Sequence, residues 1–139
     1  NQDIKNLPQS LKILKIDGYY FARSIDKLPK DLQILKINSH KFNRTIDNLP
    51  QKLKHLHIVS LNFNRKIDNL PDTIEYLYLG NEFNQKVDML PKSLKYIYCQ
   101  CNKLKSLPEL PESLIYLQCH DNELEYLLKL IRVSEDIRK

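Results

Sequence analysis

The stretch FNRTIDNLPQKLKHLHI at residues 42–58 decides the fold, because nearly the same sequence returns one period later. Residues 63–79 read FNRKIDNLPDTIEYLYL, so a phenylalanine, an asparagine and a Leu-Pro pair recur 21 positions further on. A fixed period in the low twenties is typical of solenoid proteins, in which each repeat forms one coil. The sequence therefore predicts a stack of similar coils.

A Leu-Pro pair marks each coil and recurs at intervals of 21, 21, 21, 20 and 20 residues. The pairs are Leu7-Pro8, Leu28-Pro29, Leu49-Pro50, Leu70-Pro71, Leu90-Pro91 and Leu110-Pro111. They divide the chain into six repeats at 7–27, 28–48, 49–69, 70–89, 90–109 and 110–129. Residues 1–6 are predicted to be the tail of a truncated preceding repeat, and residues 130–139 a C-terminal cap.

Each repeat contains one short strand with the pattern Leu-x-x-Leu-x-Leu, as in LKILKI at residues 11–16. Its last apolar positions alternate with polar ones, so a single strand has one apolar side that only a neighbouring coil can bury. Two apolar columns follow the strands, and the first is predicted to stack as a phenylalanine spine. The columns are Phe21, Phe42, Phe63, Phe83, Leu104, Leu124, and Ile25, Ile46, Ile67, Val87, Leu107, Leu127.

Two polar columns on the return side of the coils carry further predictions. The asparagines that follow the phenylalanines, Asn43, Asn64 and Asn84, are expected to bond backbone groups that lack a partner in a tight coil. Aspartates and arginines also recur at repeat spacing, and they predict a ladder of solvated ion pairs. These residues are Asp26, Asp47, Asp68, Asp88, Arg23, Arg44 and Arg65.

The segments FNRTIDNLPQKLKHLHI at 42–58 and LGNEFNQKVDMLPKSLKYI at 79–97 resemble FNIP repeats, which are short leucine-rich repeats found in slime-mould amoebae and in giant viruses of protists. The resemblance covers about residues 1–101. Later residues follow the general leucine-rich pattern, with Asn102 and Asn122 as ladder asparagines. The resemblance implies a right-handed leucine-rich-repeat solenoid of the α/β type, with short parallel strands, turns and little helix.

Residues after the last coil, LLKLIRVSEDI at 127–137, carry apolar side chains at helical spacing. They predict an amphipathic capping helix, because a solenoid must cover its apolar ends. A helix that lies on a membrane surface is the alternative interpretation.

The solvent-facing strand positions, expected on the concave side of the solenoid, form two columns. They are Ile13, Ile34, His55, Tyr76, Tyr96, Tyr116, and Lys15, Lys36, His57, Tyr78, Tyr98, Gln118. Seven of these residues are tyrosine or histidine and are named the aromatic face here: His55, His57, Tyr76, Tyr78, Tyr96, Tyr98 and Tyr116. Together with Lys15 and Lys36 they are the predicted partner-binding site, because tyrosine is enriched at interface hot spots.

Two other functions compete with protein binding. The aromatic columns could serve only to stabilise the sheet, as in a structural module that dimerises through the truncated N-terminal edge. Tyrosines beside lysines also suit single-stranded nucleic acid, although the basic and aromatic residues sit in different coils. Residues 1–69 carry 13 Lys/Arg and 6 Asp, whereas residues 70–139 carry 9 Lys/Arg and 11 Asp/Glu. The FNIP resemblance favours a protein-interaction module, which some relatives join to an F-box for target recognition.

Several classes of function lack the residues that they need. No nucleophile–base pair, paired acids or glycine-rich phosphate loop is present, so no enzyme and no cofactor are predicted. His55 and His57 lack a third ligand, so no metal site is predicted. Cys99 and Cys119 are expected in the core and Cys101 in a loop. Three cysteines without a C-x-x-C pattern, and no long apolar run, predict a reducing, cytoplasmic location, which is the host cytosol if the chain is viral.

Overall fold

The computed structural model describes residue 4 and residues 6–125. Within these residues six β-strands form one parallel sheet, and their order in the sheet is their order in the chain. The strands are β1 Ile13–Asp17, β2 Ile34–Asn38, β3 His55–Val59, β4 Tyr76–Leu79, β5 Tyr96–Tyr98 and β6 Tyr116–Gln118. Each repeat from 7 onwards adds one strand beside the previous one, which confirms the predicted parallel-strand solenoid.

The register of the sheet matches each residue with the residue one repeat later. Leu35 pairs with Leu56, and Leu56 pairs with Leu77, so the apolar strand positions form continuous columns. The solvent-facing positions follow the same rule, as in the pairing of Tyr76 with Tyr96. A shift of one residue would turn the apolar side of a strand to solvent, so the buried leucines fix this register.

A tight turn precedes each strand and starts at the proline of the Leu-Pro pair. The carbonyl oxygen of Pro50 accepts a hydrogen bond from the N–H of Leu53 at 3.0 Å. The same i to i+3 bond occurs at the prolines of all six Leu-Pro pairs that mark the repeats, with lengths of 3.0–3.1 Å. Proline has no N–H to contribute, but its carbonyl closes the turn and directs the chain into the strand.

The phenylalanine spine is present in the core. The rings of Phe21, Phe42, Phe63 and Phe83 stack with centroid separations of 6.0, 5.9 and 6.0 Å and interplanar angles of 13–14°. Phe42 and Phe83 are completely buried. Offset stacking of this kind adds about 0.5–1.5 kcal/mol per pair to the free energy gained by burial.

Two asparagines link the coils after the strands, as predicted for Asn102, which is buried, and Asn122, which is partly buried. The side-chain amide of Asn102 donates to the carbonyl oxygens of Leu79 and Cys99, both at 3.0 Å, and its Oδ1 accepts the N–H of Phe83 at 2.9 Å. Asn122 repeats this pattern one coil later and accepts the N–H of Leu104 at 3.0 Å. Each asparagine therefore satisfies backbone groups of two neighbouring coils.

Serines make a similar link in the earlier coils, which sequence analysis missed. Ser39 Oγ donates to the carbonyl oxygen of Phe21, and Ser60 Oγ donates to that of Phe42, both at 2.8 Å. Both serines are only 1% exposed. The single hydroxyl proton of each serine also faces a second carbonyl oxygen of the preceding coil at 3.2 Å, that of Tyr19 for Ser39 and that of His40 for Ser60.

The return side of the coils agrees with one prediction and contradicts another. The side chains of Asn43 and Asn64 accept the backbone N–H groups of Asn64 and Asn84 at 3.2 and 2.9 Å, as expected. The predicted Arg–Asp ion pairs are wrong, because no salt bridge joins these columns within the described part of the chain. Arg65 Nε instead donates to the backbone carbonyl of Asn43 at 3.2 Å.

Residue 4 and residues 6–125 contain strands, turns and extended segments and no helix. The structure therefore shows no helix among these residues that is long and apolar enough to cross a membrane. The predicted capping helix after residue 126 lies outside the described residues. Most of the predicted N-terminal tail, residues 1–3 and 5, does so as well.

Candidate functional site

The aromatic face occupies the solvent-facing side of strands β3 to β6. Strand alternation sends Leu56 and Ile58 of β3 into the core and leaves His55 and His57 on the opposite side. The parallel register then aligns Tyr76 with His55, and Tyr78 with His57. All seven predicted aromatic residues consequently lie in two adjacent columns on one side of the sheet.

Neighbouring rings within a column stack on one another. The His57 and Tyr78 rings lie 4.3 Å apart at 14°, and the His55 and Tyr76 rings 5.6 Å apart at 17°. Tyr78 continues to Tyr98 at 6.1 Å. Stacking restricts the rotation of each ring, so part of the entropy that binding would cost is already lost in the folded chain.

Contacts between the columns join them into a single surface. Tyr98 lies 5.2 Å from both Tyr76 and Tyr116 by ring centroid, with tilted ring planes. The column that contains Tyr96 and Tyr116 is the more accessible one, since these residues are 38% and 44% exposed. The rings therefore present a continuous, partly exposed apolar area with hydroxyl groups.

The lysine columns lie directly beside the aromatic face. Lys36 pairs with His57 in the register, and Lys15 pairs with Lys36. The two lysines therefore extend the column of His57 towards β1. Lys15, Lys36 and His57 line a shallow groove of about 310 Å³ together with Asp17 and Asn38. The basic residues thus flank the N-terminal side of the face.

Glu75 borders the aromatic face at the beginning of β4. Its carboxylate accepts from Lys95 at 2.8 Å and lies 3.4 Å from Lys54 Nζ. The hydrogen bonds from Lys95 and then Lys54 hold the pKa of Glu75 below its usual range. Because all three groups are partly exposed, this triad orients side chains around the face more than it stabilises the fold.

Burial changes the titration of two residues on the aromatic face. It lowers the pKa of the His57 imidazole below its usual range, and the nearby Lys36 ammonium lowers it further. Burial raises the pKa of the Tyr76 phenol, with a smaller contribution from Tyr98 and Tyr78. At neutral pH His57 and Tyr76 are therefore uncharged, and each can donate a hydrogen bond.

We expect the free energy of unfolding to decrease as the pH falls from about 6.5, because unfolded His57 takes up a proton that folded His57 resists. This contribution is fully present above the ordinary histidine pKa and is lost as the pH falls through the lower folded value. His57→Phe keeps a ring against Tyr78 and removes the titration. Urea unfolding between pH 7.5 and 5.5 should give a weaker pH dependence for this variant.

Lys36→Gln removes the second cause of the His57 shift and provides an intermediate case. Its pH dependence should lie between those of the wild type and His57→Phe. Equal pH dependence of the wild type and His57→Phe would contradict the assignment.

The structure brings together two groups of residues that sequence analysis missed. Tyr19 packs against Tyr20 and His40, with ring centroids 4.7 and 4.3 Å away, in the turns that follow β1 and β2. Tyr19 and His40 are 21 residues apart, so the repeat spacing was the available signal. The second group is a cluster of a cysteine, a histidine and an aspartate after β5 and β6.

The cysteines are free and follow the predicted distribution. Cys99 is buried, and burial raises its pKa to about 12. Cys119 is half-buried, and burial also raises its pKa. Cys101 is exposed in the turn after β5.

Two overlapping segments of the chain, residues 42–82 and 63–101, match the family model of the FNIP repeat. This part of the chain consists of FNIP repeats. Its strands, phenylalanines and Leu-Pro turns are the structural elements of these repeats, and the later coils extend them with the asparagine ladder of leucine-rich repeats. Repeats of this type generally act as structural or interaction modules.

A solved structure shows the same fold on a larger scale. The chain is similar to CroV588, a circular LRR protein, with 28% sequence identity and a TM-score of 0.63. The similarity covers 85% of this chain and 22% of CroV588, so the chain spans about a fifth of the length of that protein. No curated protein matches the chain.

Proposed function

We propose that the chain binds a protein partner through the aromatic face and performs no catalysis. The observation that supports this proposal is the continuous row of stacked tyrosine and histidine rings on the exposed side of β3 to β6. Contiguous exposed apolar patches often mark interaction sites. Residues 55, 57, 76, 78, 96, 98 and 116, with Lys15 and Lys36, form the proposed binding surface.

Tyrosine suits this function because it offers a large contact area with few rotatable bonds. The rings already contact one another, as Tyr98 does with Tyr78 and Tyr76, so little order remains to be gained on binding. The side chains rise from β-strands and not from loops, which fixes their spacing to that of the sheet. The face is therefore preorganised for a partner.

The charge around the face indicates the chemistry of the partner. Lys15 and Lys36 flank one side, and Lys54 and Lys95, which both contact Glu75, directly precede β3 and β5. A partner that presents apolar side chains with acidic groups beside them would complement this surface. Such a module would recognise targets in the cytoplasm, and in a longer protein an attached F-box could pass them on.

Substitution of Tyr78 and Tyr98 by alanine tests the proposal. We expect the double variant to lose its partners in a pull-down from a lysate of the natural host, with at least a 30-fold loss of affinity, since a hot spot contributes about 2 kcal/mol or more. Stability should fall by less than about 2 kcal/mol, because stacked pairs on a sheet contribute about 0.2–1 kcal/mol each. Thermal unfolding measures this term.

Tyr20→Ala is the matched control, since Tyr20 is 66% exposed and lies outside the aromatic face. It should retain every partner that the wild type captures. A double variant that loses stability while its partners remain bound would contradict the proposal and support a purely structural role for the rings.

A structural module is the second candidate function, and the similarity to a circular leucine-rich-repeat protein favours it. In this case the coils would serve to extend or close a larger assembly, or to dimerise through an open edge of the sheet. Light scattering during size-exclusion chromatography tests this function. A monomer at high concentration would count against it.

Single-stranded nucleic acid is the remaining candidate, because tyrosine rings and lysines lie on one side of the sheet. Binding of this kind weakens steeply with added salt. A fluorescence titration with a labelled single strand at low salt would exclude it if no binding occurs.

A further inference from the structure

A compact group of potential metal ligands lies in the turns after β5 and β6, apart from the aromatic face. Cys101 Sγ, His120 and an Asp121 carboxylate oxygen lie within 4.8 Å of one another. Cys101 Sγ is 3.8 Å from Asp121 Oδ2, and His120 Nδ1 is 2.8 Å from the same oxygen. We propose that Cys101, His120 and Asp121 bind a divalent transition metal of the zinc class.

The repeat geometry explains why these side chains meet. Cys101 and Asp121 are 20 residues apart and occupy the same position in successive coils, and His120 precedes Asp121. The backbone N–H of Cys101 donates to the carbonyl oxygen of His120 at 3.1 Å, which fixes the separation of the two turns. Cys101 and Asp121 also share a left-handed backbone, with φ of 56° and 55°.

Two of the distances between the ligand atoms are close to those of a tetrahedral site, and the third is at most 4.8 Å. Zn–S, Zn–N and Zn–O bonds of about 2.3, 2.0 and 2.0 Å at tetrahedral angles place ligand atoms about 3.3–3.5 Å apart. The observed separations of 2.8 and 3.8 Å lie on either side of this range. Small side-chain rotations of three exposed residues are enough to reach it.

The donor set determines the class of metal. A thiolate, an imidazole and a carboxylate suit Zn²⁺ and Co²⁺, whereas Ca²⁺ and Mg²⁺ prefer sites made of oxygen. All three residues are exposed, so the fourth position of the metal faces solvent and would hold water. The bound form requires the thiolate, so the thiol proton leaves to solvent and affinity rises with pH.

A second residue is placed to orient the histidine. The amide of Gln118 lies 3.0 Å from His120 Nε2, and the Tyr116 hydroxyl lies 3.5 Å from Gln118 Oε1. When Nδ1 binds a metal, Nε2 carries the ring proton and the amide oxygen of Gln118 can accept it after rotation. This chain of contacts links the proposed site to Tyr116 of the aromatic face.

The same geometry argues against a cysteine nucleophile activated by histidine. Such a pair needs the imidazole within hydrogen-bond reach of the thiol. Here Cys101 Sγ contacts Asp121, while the two ring nitrogens of His120 contact Asp121 and Gln118. The arrangement is that of three ligands around one point.

Titration of the reduced, untagged chain with Co²⁺ and Zn²⁺ tests the proposal. We expect one equivalent of Co²⁺ to produce a thiolate-to-cobalt charge-transfer band in the near ultraviolet, and Zn²⁺ to remove it by displacement. Ca²⁺ in excess should leave the band unchanged. No binding of either transition metal, or binding without the charge-transfer band, would overturn the proposal.

Variants identify the ligands. Cys101→Ser should abolish the band, and Asp121→Asn should weaken Zn²⁺ binding by at least about 10-fold by calorimetry, the smallest loss usual for weakened ligand shells. Cys119→Ser and His55→Gln are the controls, since they remove a thiol and an imidazole elsewhere. Loss of binding in either control, or unchanged binding in Cys101→Ser, would also overturn the proposal. Circular dichroism verifies that each variant is folded.

Discussion

Substitution of Phe63 by alanine is expected to lower the free energy of unfolding by about 3–5 kcal/mol, the largest effect that we predict for one residue. The Phe63 ring is 1% exposed and stacks on Phe42 at 5.9 Å and on Phe83 at 6.0 Å. Alanine leaves a cavity in the phenylalanine spine. The sheet pairing of β3 with β2 and β4 holds the coils at a fixed spacing, so the cavity cannot collapse fully. A loss of this size is a large part of the 5–15 kcal/mol that stabilise a typical domain.

Equilibrium unfolding in urea, followed by circular dichroism, measures the loss. Phe63→Leu is the matched control, because it keeps most of the buried volume, and it should cost less than about 1.5 kcal/mol. The defect also lies in the middle of the stack, where coils contact only their neighbours, so we expect the variant to unfold in two separate transitions. An alanine variant within about 1 kcal/mol of the wild type would show that the spine does not carry the stability assigned to it.

Substitution of Asn102 by alanine is the second change with a large expected effect. It removes the side-chain partner of two buried backbone groups, the carbonyl oxygen of Leu79 and the N–H of Phe83. The carbonyl oxygen of Cys99 keeps the hydrogen bond from Asn122 at 2.8 Å. Each unsatisfied buried group costs about 1–3 kcal/mol, so we expect a total loss of at least about 2 kcal/mol. Urea unfolding again provides the measurement.

Two further variants separate hydrogen bonding from size. Asn102→Asp keeps the shape of the side chain but loses both amide donors, so its cost should be at least as large as that of alanine at neutral pH. Asn84→Ala is the control on the exposed side, and it should change stability by less than about 0.5 kcal/mol. Equal losses for Asn84→Ala and Asn102→Ala would contradict a special role for the buried ladder.

The architecture could be predicted from the sequence because the repeat converts positions in the chain into columns in space. Once Leu-Pro pairs are aligned, Tyr76, Tyr96 and Tyr116 must share a column, and the register confirms that they do. The spine follows by the same reasoning. This inference needs only the strand period and the length of the repeat, and it requires no knowledge of side-chain conformations.

Features that depend on a rotamer or on a local turn could not be predicted in this way. Arg65 was expected to pair with an aspartate, but its guanidinium finds an unbonded backbone carbonyl one coil away. Ser60 replaces a ladder asparagine, although its short side chain gave no signal in the sequence pattern. The repeat spacing places Cys101 and Asp121 in one column, but it does not reveal the left-handed backbone of their turns.

The shortened fourth repeat shows how the stack tolerates a change in length. Leu79 and Phe83 are four residues apart, whereas Ile58 and Phe63 are five apart. Asn81 and Glu82, which lie in the shorter connection, have φ of 35° and 71°. Two consecutive left-handed residues therefore let the chain reach the spine with one residue fewer. Strand β4 keeps its register, and the Phe83 ring still stacks on Phe63.

Strand order and chain order are identical throughout the sheet, and this has a consequence for how the gene can change. Recombination between equivalent codons of two coils would add or remove one whole coil. The order and register of the remaining strands would stay the same. Such an exchange could lengthen or shorten the aromatic face by one strand, and the packing of the core would be kept. The length of the solenoid can therefore evolve through the number of repeats alone, while substitutions change the solvent-facing side chains of individual strands.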